Sequence, residues 1–453
     1  MSEIINEDEI KKAIKRSLTP FLEMAGGGIL RGEPGGSKFY SFNGTEFIDC
    51  TAQAWTLSIG FANPDIINAV IEQIKKLTHV RYGYLTIPRI KLINKLTDIA
   101  PGDLKKVCFN NEGGSMANEA AIKLALINKK KAYGIITLTR GYHGSSLTMI
   151  SASYRMSNIL GAGTNFRGFG LDRFQKAPFP YCYRCPMGKY EGIYGEKDPS
   201  CSCECVYLVE HLIEHAPYEI AAILQEPIQG PGGQIPAPKE YLQKLRKVCN
   251  DYKVYWIWDE AQTAMGKIGY MFASEYYGVV PDMMTLTKAL GGGFPIGATL
   301  ASNKIKKGFN PTEEHTTFGS NPIMFAATLA NLEYLEKNKI CEKTRKKGEE
   351  VTKRLKELQE EYDIIGDIRG PGLFIGIELV KDRRTKEPAN IELEKIIELA
   401  YKHGVLLDAN MPIMYKDGRN FRNVLKFKPP LVISDEELDK VFEVLRLCFS
   451  EVS

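Results

Sequence analysis

Lys288 and Asp259 are the residues of this 453-residue chain whose types and spacing most directly imply chemistry. Lys288 stands in Met-Met-Thr-Leu-Thr-Lys-Ala-Leu-Gly-Gly-Gly, 29 residues after Asp259 in Val-Tyr-Trp-Ile-Trp-Asp-Glu-Ala-Gln-Thr. Each closes an apolar run that reads as a strand and is followed by a turn, so neighbouring strand ends would offer an amine and a carboxylate to one ligand. An amine can form a Schiff base with an aldehyde, and a carboxylate can keep a pyridine nitrogen protonated so that the ring accepts electrons. Pyridoxal phosphate (PLP) needs both. Either residue alone is more often a solvated loop charge, so the reading depends on the elements around the pair.

Those elements alternate. From about residue 107 the pattern runs strand 106–109, helix 117–128, strand 134–139, strand 221–225, helix 241–251, strand 254–258 and strand 283–287. Alternating buried strands and helices predict an α/β chain with a mostly parallel sheet covered on both faces. Gly113-Gly114-Ser115 stands at the start of the first of these helices, where backbone amides and the helix dipole favour a phosphate. Before it come an amphipathic helix at 3–17, a hairpin at 38–50 around Asn43-Gly44 and a helix at 64–76. After Pro322 a helix at 323–337 leads into 342–362, rich in lysine and glutamate with leucines at helical spacing, which reads as a solvated helix face.

Five blocks, in order, resemble the class III (omega) aminotransferases of PLP fold type I over nearly the whole chain. They are Gly114-Ser115-Met116-Ala117-Asn118-Glu119, Tyr142-His143-Gly144, Asp259-Glu260-Ala261-Gln262-Thr263, Thr287-Lys288-Ala289-Leu290-Gly291 and Thr316-Thr317-Phe318-Gly319-Ser320-Asn321-Pro322. The resemblance implies a large PLP-binding domain at 63–325, with small α+β parts at 1–62 and 326–453. It also implies roles. Lys288 carries PLP and Asp259 holds the ring nitrogen, with Tyr142 and Ala261 on the ring faces and Gln262 at the phenolic oxygen. Gly114, Ser115, His143 and Glu226 lie about the cofactor. Thr317 reaches the phosphate of a neighbouring subunit, implying a homodimer with shared sites, or a tetramer built from it. The implied reaction moves an amino group from an ω-amino acid or amine to a 2-oxo acid, pyruvate or 2-oxoglutarate, with ping-pong kinetics.

The chain departs from the family where substrate would bind. Lys426, in Val424-Leu425-Lys426-Phe427-Lys428-Pro429-Pro430, stands where members that grip an α-carboxylate place an arginine, and lysine lacks the planar fork that binds carboxylate through two hydrogen bonds. The glutamate that commonly pairs with that arginine is missing too, because Pro231 follows Gln229-Gly230. Arg419 and Trp55 resemble the mobile arginine and pocket tryptophan of amine:pyruvate transaminases. Gln53 matches a glutamine of dialkylglycine decarboxylase, as does the Arg369-Gly370-Pro371-Gly372 region, and the Lys-Phe-Lys-Pro-Pro ending is similar to that of amine phospholyases. Decarboxylating transamination, amino-acid racemisation and phosphate elimination are therefore the alternatives. Glu112 replaces a neutral residue of the usual phosphate block and must point away from a dianion or meet a cation.

Five of the ten cysteines crowd between positions 182 and 205. Cys182, Cys185, Cys201 and Cys205 have the spacing of a tetrahedral structural zinc site in a loop at 178–206, and reduced, unliganded thiols are the alternative. His211-Leu212-Ile213-Glu214-His215 matches a zinc-peptidase spacing but reads as one face of a helix. A net charge of +4 without a basic stripe gives no reason to expect nucleic acid. No apolar run approaches a membrane span and Met1–Arg16 lacks a signal-peptide core, so a cytoplasmic location is expected.

Overall fold

The apolar runs bracketing Asp259 and Lys288 form the middle of a seven-stranded sheet in the computed structural model, which describes residues 6–18, 28–153, 173–191, 196–198, 200–414 and 419–453. In chain order the strands are β1 (Lys106–Asn110), β2 (Gly134–Leu138), β3 (Phe174–Ala177), β4 (Ile220–Gln225), β5 (Tyr255–Asp259), β6 (Met283–Leu286) and β7 (Gly297–Ala301). Their order across the sheet is β1-β7-β6-β5-β4-β2-β3. β7 alone runs antiparallel to its neighbours, pairing Thr285 with Thr299 on one side and Cys108 on the other. The remaining pairs are parallel.

Burial on both faces explains the composition of the central strands. Trp256, Ile257 and Trp258 of β5 are fully buried, and the two indoles meet edge to face at 5.2 Å. The helix Gly114–Asn128 packs on the sheet through Ala117, Ala120, Ala121, Leu124 and Ala125, small residues that allow close approach. Pro322–Lys337 packs against Pro64–Lys76 and is followed by Ile340–Glu361, which buries Val351, Leu355 and Leu358 and turns its lysines and glutamates outward. The expected N-terminal helix is Glu7–Arg16, capped by Asn6 and Glu9. Residues 3–5 of that expectation lie outside the described residues.

N- and C-terminal segments are built together. The strands Ile29–Gly32, Lys38–Ser41 and Glu46–Asp49 form a four-stranded sheet that is completed by Val405–Leu406, with Ile48 opposite Val405. A second four-stranded sheet joins Ile365–Arg369, Ile375–Leu379, Val424–Phe427 and Asp408–Ala409. The last helix, Asp435–Val452, starts with a capping box of Ser434 and Glu437, and Ser37 Oγ donates 2.6 Å to the same Glu437 carboxylate across 400 residues of sequence. Among the described residues no helix is long and apolar enough to cross a membrane.

The turn after β5 buries a cation. Lys267 is fully buried, its Nζ has no hydrogen-bond partner, and burial pushes its pKa down to about 7, with Asp49 opposing. A lysine whose folded pKa lies below its unfolded value lowers stability in full below the folded pKa, where the ammonium must be carried buried, and the loss fades as pH rises from there to the ordinary lysine value. Lys267→Met should therefore raise the unfolding free energy at pH 6.5 by up to about 5 kcal/mol, a value scaled from the pKa shift. The gain should shrink toward zero near pH 10, as measured by urea denaturation across that range.

Candidate active site

Asp259 ends β5 opposite Thr285 of β6, and Lys288 follows β6 after the single residue Thr287, in a 3-10 turn entered with φ +52°. A lysine in the left-handed region is strained, and such strain concentrates at functional sites. Asp259 is buried, which by itself would raise its pKa, yet its pKa is lowered because donors surround it. His143 Nδ1 lies 2.9 Å and Asn118 Nδ2 2.8 Å from Oδ2, and the Ala261 amide donates 3.1 Å to Oδ1. Thr285 Oγ1 donates to Asn118 Oδ1 at 2.7 Å and fixes the amide orientation.

Lys288 is half-buried, and its pKa is lowered by burial and by the neighbouring Lys426 charge against the pull of Asp259 and Glu226. Glu226 is buried with its pKa raised to about 8, by desolvation first and by Asp259 second. Its carboxyl accepts the Tyr142 amide at 3.0 Å and the Gly230 amide at 2.8 Å, so it holds the backbone at Tyr142.

The helix Gly114–Asn128 is entered through Gly113 at φ +93° and has no side-chain cap at its start, which leaves its first amides for a ligand. Ser115 Oγ accepts the Ser145 amide at 3.1 Å, and a Cβ on Gly144 would come within 2.3 Å of that oxygen. Glu112 is exposed, so the extra acid points away as electrostatics requires. His143 Nε2 and Gln262 Oε1 are buried without a protein partner. These residues suit a group bearing a phosphate, a ring nitrogen, a phenolic oxygen and an aldehyde. PLP fits.

The opposite wall comes from the N-terminal segment. Ala52, Gln53, Ala54 and Trp55 form a left-handed turn with φ between +45° and +68°. The buried Asp49 carboxylate holds it, accepting from the Thr51 amide at 2.7 Å, Thr51 Oγ1 at 2.6 Å, the Gln53 amide at 3.2 Å and Gln53 Nε2 at 3.3 Å. Three ammonium groups approach the Trp55 ring: Lys428 at 3.1 Å from its centroid, Lys426 at 4.7 Å and Lys288 at 5.5 Å. Lys426 and Lys428 are both buried and reach the same Asp408 oxygen, at 3.0 and 2.7 Å. An acid partner thus stands beside Lys426 after all, contributed by Asp408 rather than by a residue after Gly230.

Lys428 and Asp408 were not among the residues the sequence singled out. A two-residue spacing from Lys426 along a strand was the available signal, since it puts both lysines on one face. Arg419 is exposed and lines a different cavity, and Thr317 is exposed beside Phe318, whose ring meets His79 at 5.5 Å. Neither has a described contact with Lys288.

The zinc expectation at Cys182, Cys185, Cys201 and Cys205 is corrected. Among the described residues no group of three or more histidine, cysteine or acidic side chains is arranged to hold a metal. Cys203 and Cys205 are buried in an apolar cluster with Tyr181, Tyr183 and Tyr241, and the Cys205 thiol is raised to about 12, by desolvation first and then by the neighbouring Cys203, Cys182, Cys185 and Cys201 thiols. His211 and His215 stack on one face of the helix Val206–His215, as their spacing predicts.

The comparisons with known proteins agree with this geometry. The aminotransferase class-III family profile matches residues 29–449. The chain is 33% identical to a leucine/methionine racemase of Thermococcus litoralis, over 92% of this chain and 89% of that protein. It is 32% identical to a 5-aminovalerate aminotransferase of Pseudomonas putida, over 92% of each. Among solved structures, an amine transaminase from an uncultivated Pseudomonas species in PLP-bound form superposes with a TM-score of 0.83 at 27% identity, over 94% of this chain and 95% of that one. A lysine and an ionised aspartate on adjacent strand ends, beneath an uncapped helix start and within this sequence family, make the chain a PLP-dependent member of the class-III aminotransferases.

Proposed function

We propose that the enzyme moves an amino group from an ω-amino acid or amine to a 2-oxo acid such as pyruvate or 2-oxoglutarate. The observation that carries this reading is Lys288, desolvated and facing the carboxyl groups of Asp259 and Glu226. PLP, when bound, supplies the aldehyde for imine formation and the electron-accepting ring. Gly114 and Ser115 would hold its phosphate, Tyr142 and Ala261 would flank the ring, Gln262 would meet the phenolic oxygen, and Asp259 would keep the ring nitrogen protonated. Lys288 then takes the proton from the substrate carbon and returns it one step away, a task eased by an ammonium pKa below the ordinary value. Gln53, Trp55 and Lys426, with Lys428, form the substrate wall, and Arg419 serves the acid end. Trp55 gives an apolar face to a carbon chain and the lysines give an anion its counter-charge.

A homodimer with shared sites follows from Thr317 in this reading. Support comes from exposed apolar side chains on neighbouring segments, Tyr84, Leu85, Ile87 and Phe318, a number unusual for a solvated surface. We place the enzyme in the cytoplasm. Racemisation is the second reading, favoured by the likeness to the leucine/methionine racemase.

Lys288→Ala should lower turnover by at least about a thousandfold, the scale expected for loss of a covalent nucleophile that is also the base. It should also abolish the borohydride-stable PLP adduct seen by mass spectrometry. The wild type should show parallel double-reciprocal lines with an amine and a 2-oxo acid. Loss of optical activity in an amino acid without any added 2-oxo acid would favour racemisation instead. Thr317→Glu should weaken PLP retention after gel filtration at least tenfold while leaving the thermal midpoint of the apoenzyme within about two degrees.

A further inference from the structure

Four residues in a row, Ala52, Gln53, Ala54 and Trp55, occupy the left-handed region at φ +46°, +45°, +59° and +68°, and none is glycine. That region crowds Cβ against the following carbonyl, so side-chain-bearing residues visit it singly, and a run of four persists only where its surroundings hold it. Asp49 does the holding. Oδ1 accepts the Thr51 amide and hydroxyl, and Oδ2 accepts the Gln53 amide and side-chain amide. The Thr51 hydroxyl also accepts the Gln53 amide at 3.2 Å, so this one group ties the two halves of the clamp together.

The clamp closes a ring with the lysine wall. Asp49 ends the strand Glu46–Asp49, where its amide donates to Ser37 O at 2.9 Å and the next amide, of Cys50, donates to Leu406 O at 2.9 Å. Lys428 returns to the same place. Its amide donates to Cys50 O at 3.2 Å, while its Nζ lies 3.1 Å from the Trp55 ring centroid. Trp55 is 6% exposed and its Nε1–H is buried without a protein acceptor, which leaves that donor to a bound molecule. Lys288 Nζ stands 5.5 Å from the same ring, so a shift of the turn would alter one wall of the site without touching the hydrogen bonds around Asp259.

We propose that Asp49 is a positioning residue for substrate selection, which acts through Thr51 and the left-handed turn to fix the Trp55 indole in the site. For turnover the proposal rests on the amino-transfer reading above, and for binding it does not.

Removing the Asp49 side chain would leave buried donors unmatched, so milder changes serve. Thr51→Val deletes the hydroxyl at nearly constant shape, Thr51→Ser keeps it, and Asp49→Asn keeps the shape but sets a donor against Gln53. Hexanoate has a chain and a carboxylate but no amine to react, and it should be titrated calorimetrically into the PLP-loaded proteins. Wild type should bind it, while Thr51→Val, Asp49→Asn and Trp55→Phe should each bind it about fivefold more weakly, the scale of one hydrogen bond, and Thr51→Ser should match wild type. Adding Thr51→Val or Asp49→Asn to Trp55→Phe should weaken binding little further, because the residue through which they act is gone. In parallel, the kcat/KM ratio of 5-aminopentanoate to hexylamine should shift in Thr51→Val through KM, with kcat nearly unchanged. Equal losses with and without Trp55, which a merely structural role would give, overturn the proposal. So do hexanoate affinities unchanged in Thr51→Val and Asp49→Asn, an equal loss in Thr51→Ser, or no binding to wild type. Absence of turnover with both donors, while the hexanoate pattern holds, counts against the amino-transfer reading alone.

Discussion

The negative charge on a fully buried carboxylate is the constraint to which the rest of the structure answers. Desolvation alone would raise the Asp259 pKa and favour the neutral acid, which would leave a pyridine nitrogen without its counter-charge. Three donors from three places prevent this: Asn118 from the helix on the sheet, His143 from the loop after β2, and the amide of Ala261 in the turn that Asp259 begins. Each is held by a further bond. Thr285 fixes Asn118, and Ser153 Oγ accepts the His143 amide at 2.9 Å. Chemistry at one atom thus draws on the packing of helix, sheet and loop together, since each contributes a donor that favours the charge.

The lysine wall obeys the opposite logic. Two buried ammonium groups share one carboxylate, and burial depresses the pKa of both, Lys428 well below the ordinary value. Asp408 keeps its own charge because both lysines favour it. Arginine would have stayed charged whatever its surroundings, whereas lysine can release its proton in the apolar site and recover it when an anion arrives. The same crowding acts on Lys288, because Lys426 adds to the burial that lowers its pKa. Substrate recognition and the reactivity of the catalytic amine are therefore coupled through a shared electrostatic environment.

Much of this was legible in the chain, for identifiable reasons. β5 reads as a strand because Trp256, Ile257 and Trp258 are apolar without interruption, and Asp259 and Lys288 could be placed because each ends such a run. β7 was missed. Gly297-Ala298-Thr299-Leu300-Ala301 continues a glycine-rich turn and its small residues carry little strand propensity, so only its pairing on both sides identifies it. β3 was missed as well, a four-residue strand at the sheet edge with Gln175 and Lys176 in its middle. Asp408 could not be found from sequence, because its link to Lys426 depends on two short strands meeting across a register set by tertiary structure. The thiols misled for a related reason: their spacing satisfies a metal site, but burial of Cys203 and Cys205 decides what they do.

That burial has a structural consequence. Cys203 and Cys205 pack into the same apolar cluster as Phe179, Tyr181 and Tyr183, so the described start and end of the cysteine-rich loop are anchored together. There the Tyr181 hydroxyl meets Glu378, and its ring receives Arg140 on one side and Arg369, at 5.0 Å, on another. A thiol is small, apolar when protonated and tolerant of close packing, which suits it to this anchoring better than to ligation. The loop's contribution is then the placement of an aromatic face against which Arg140 and Arg369 pack.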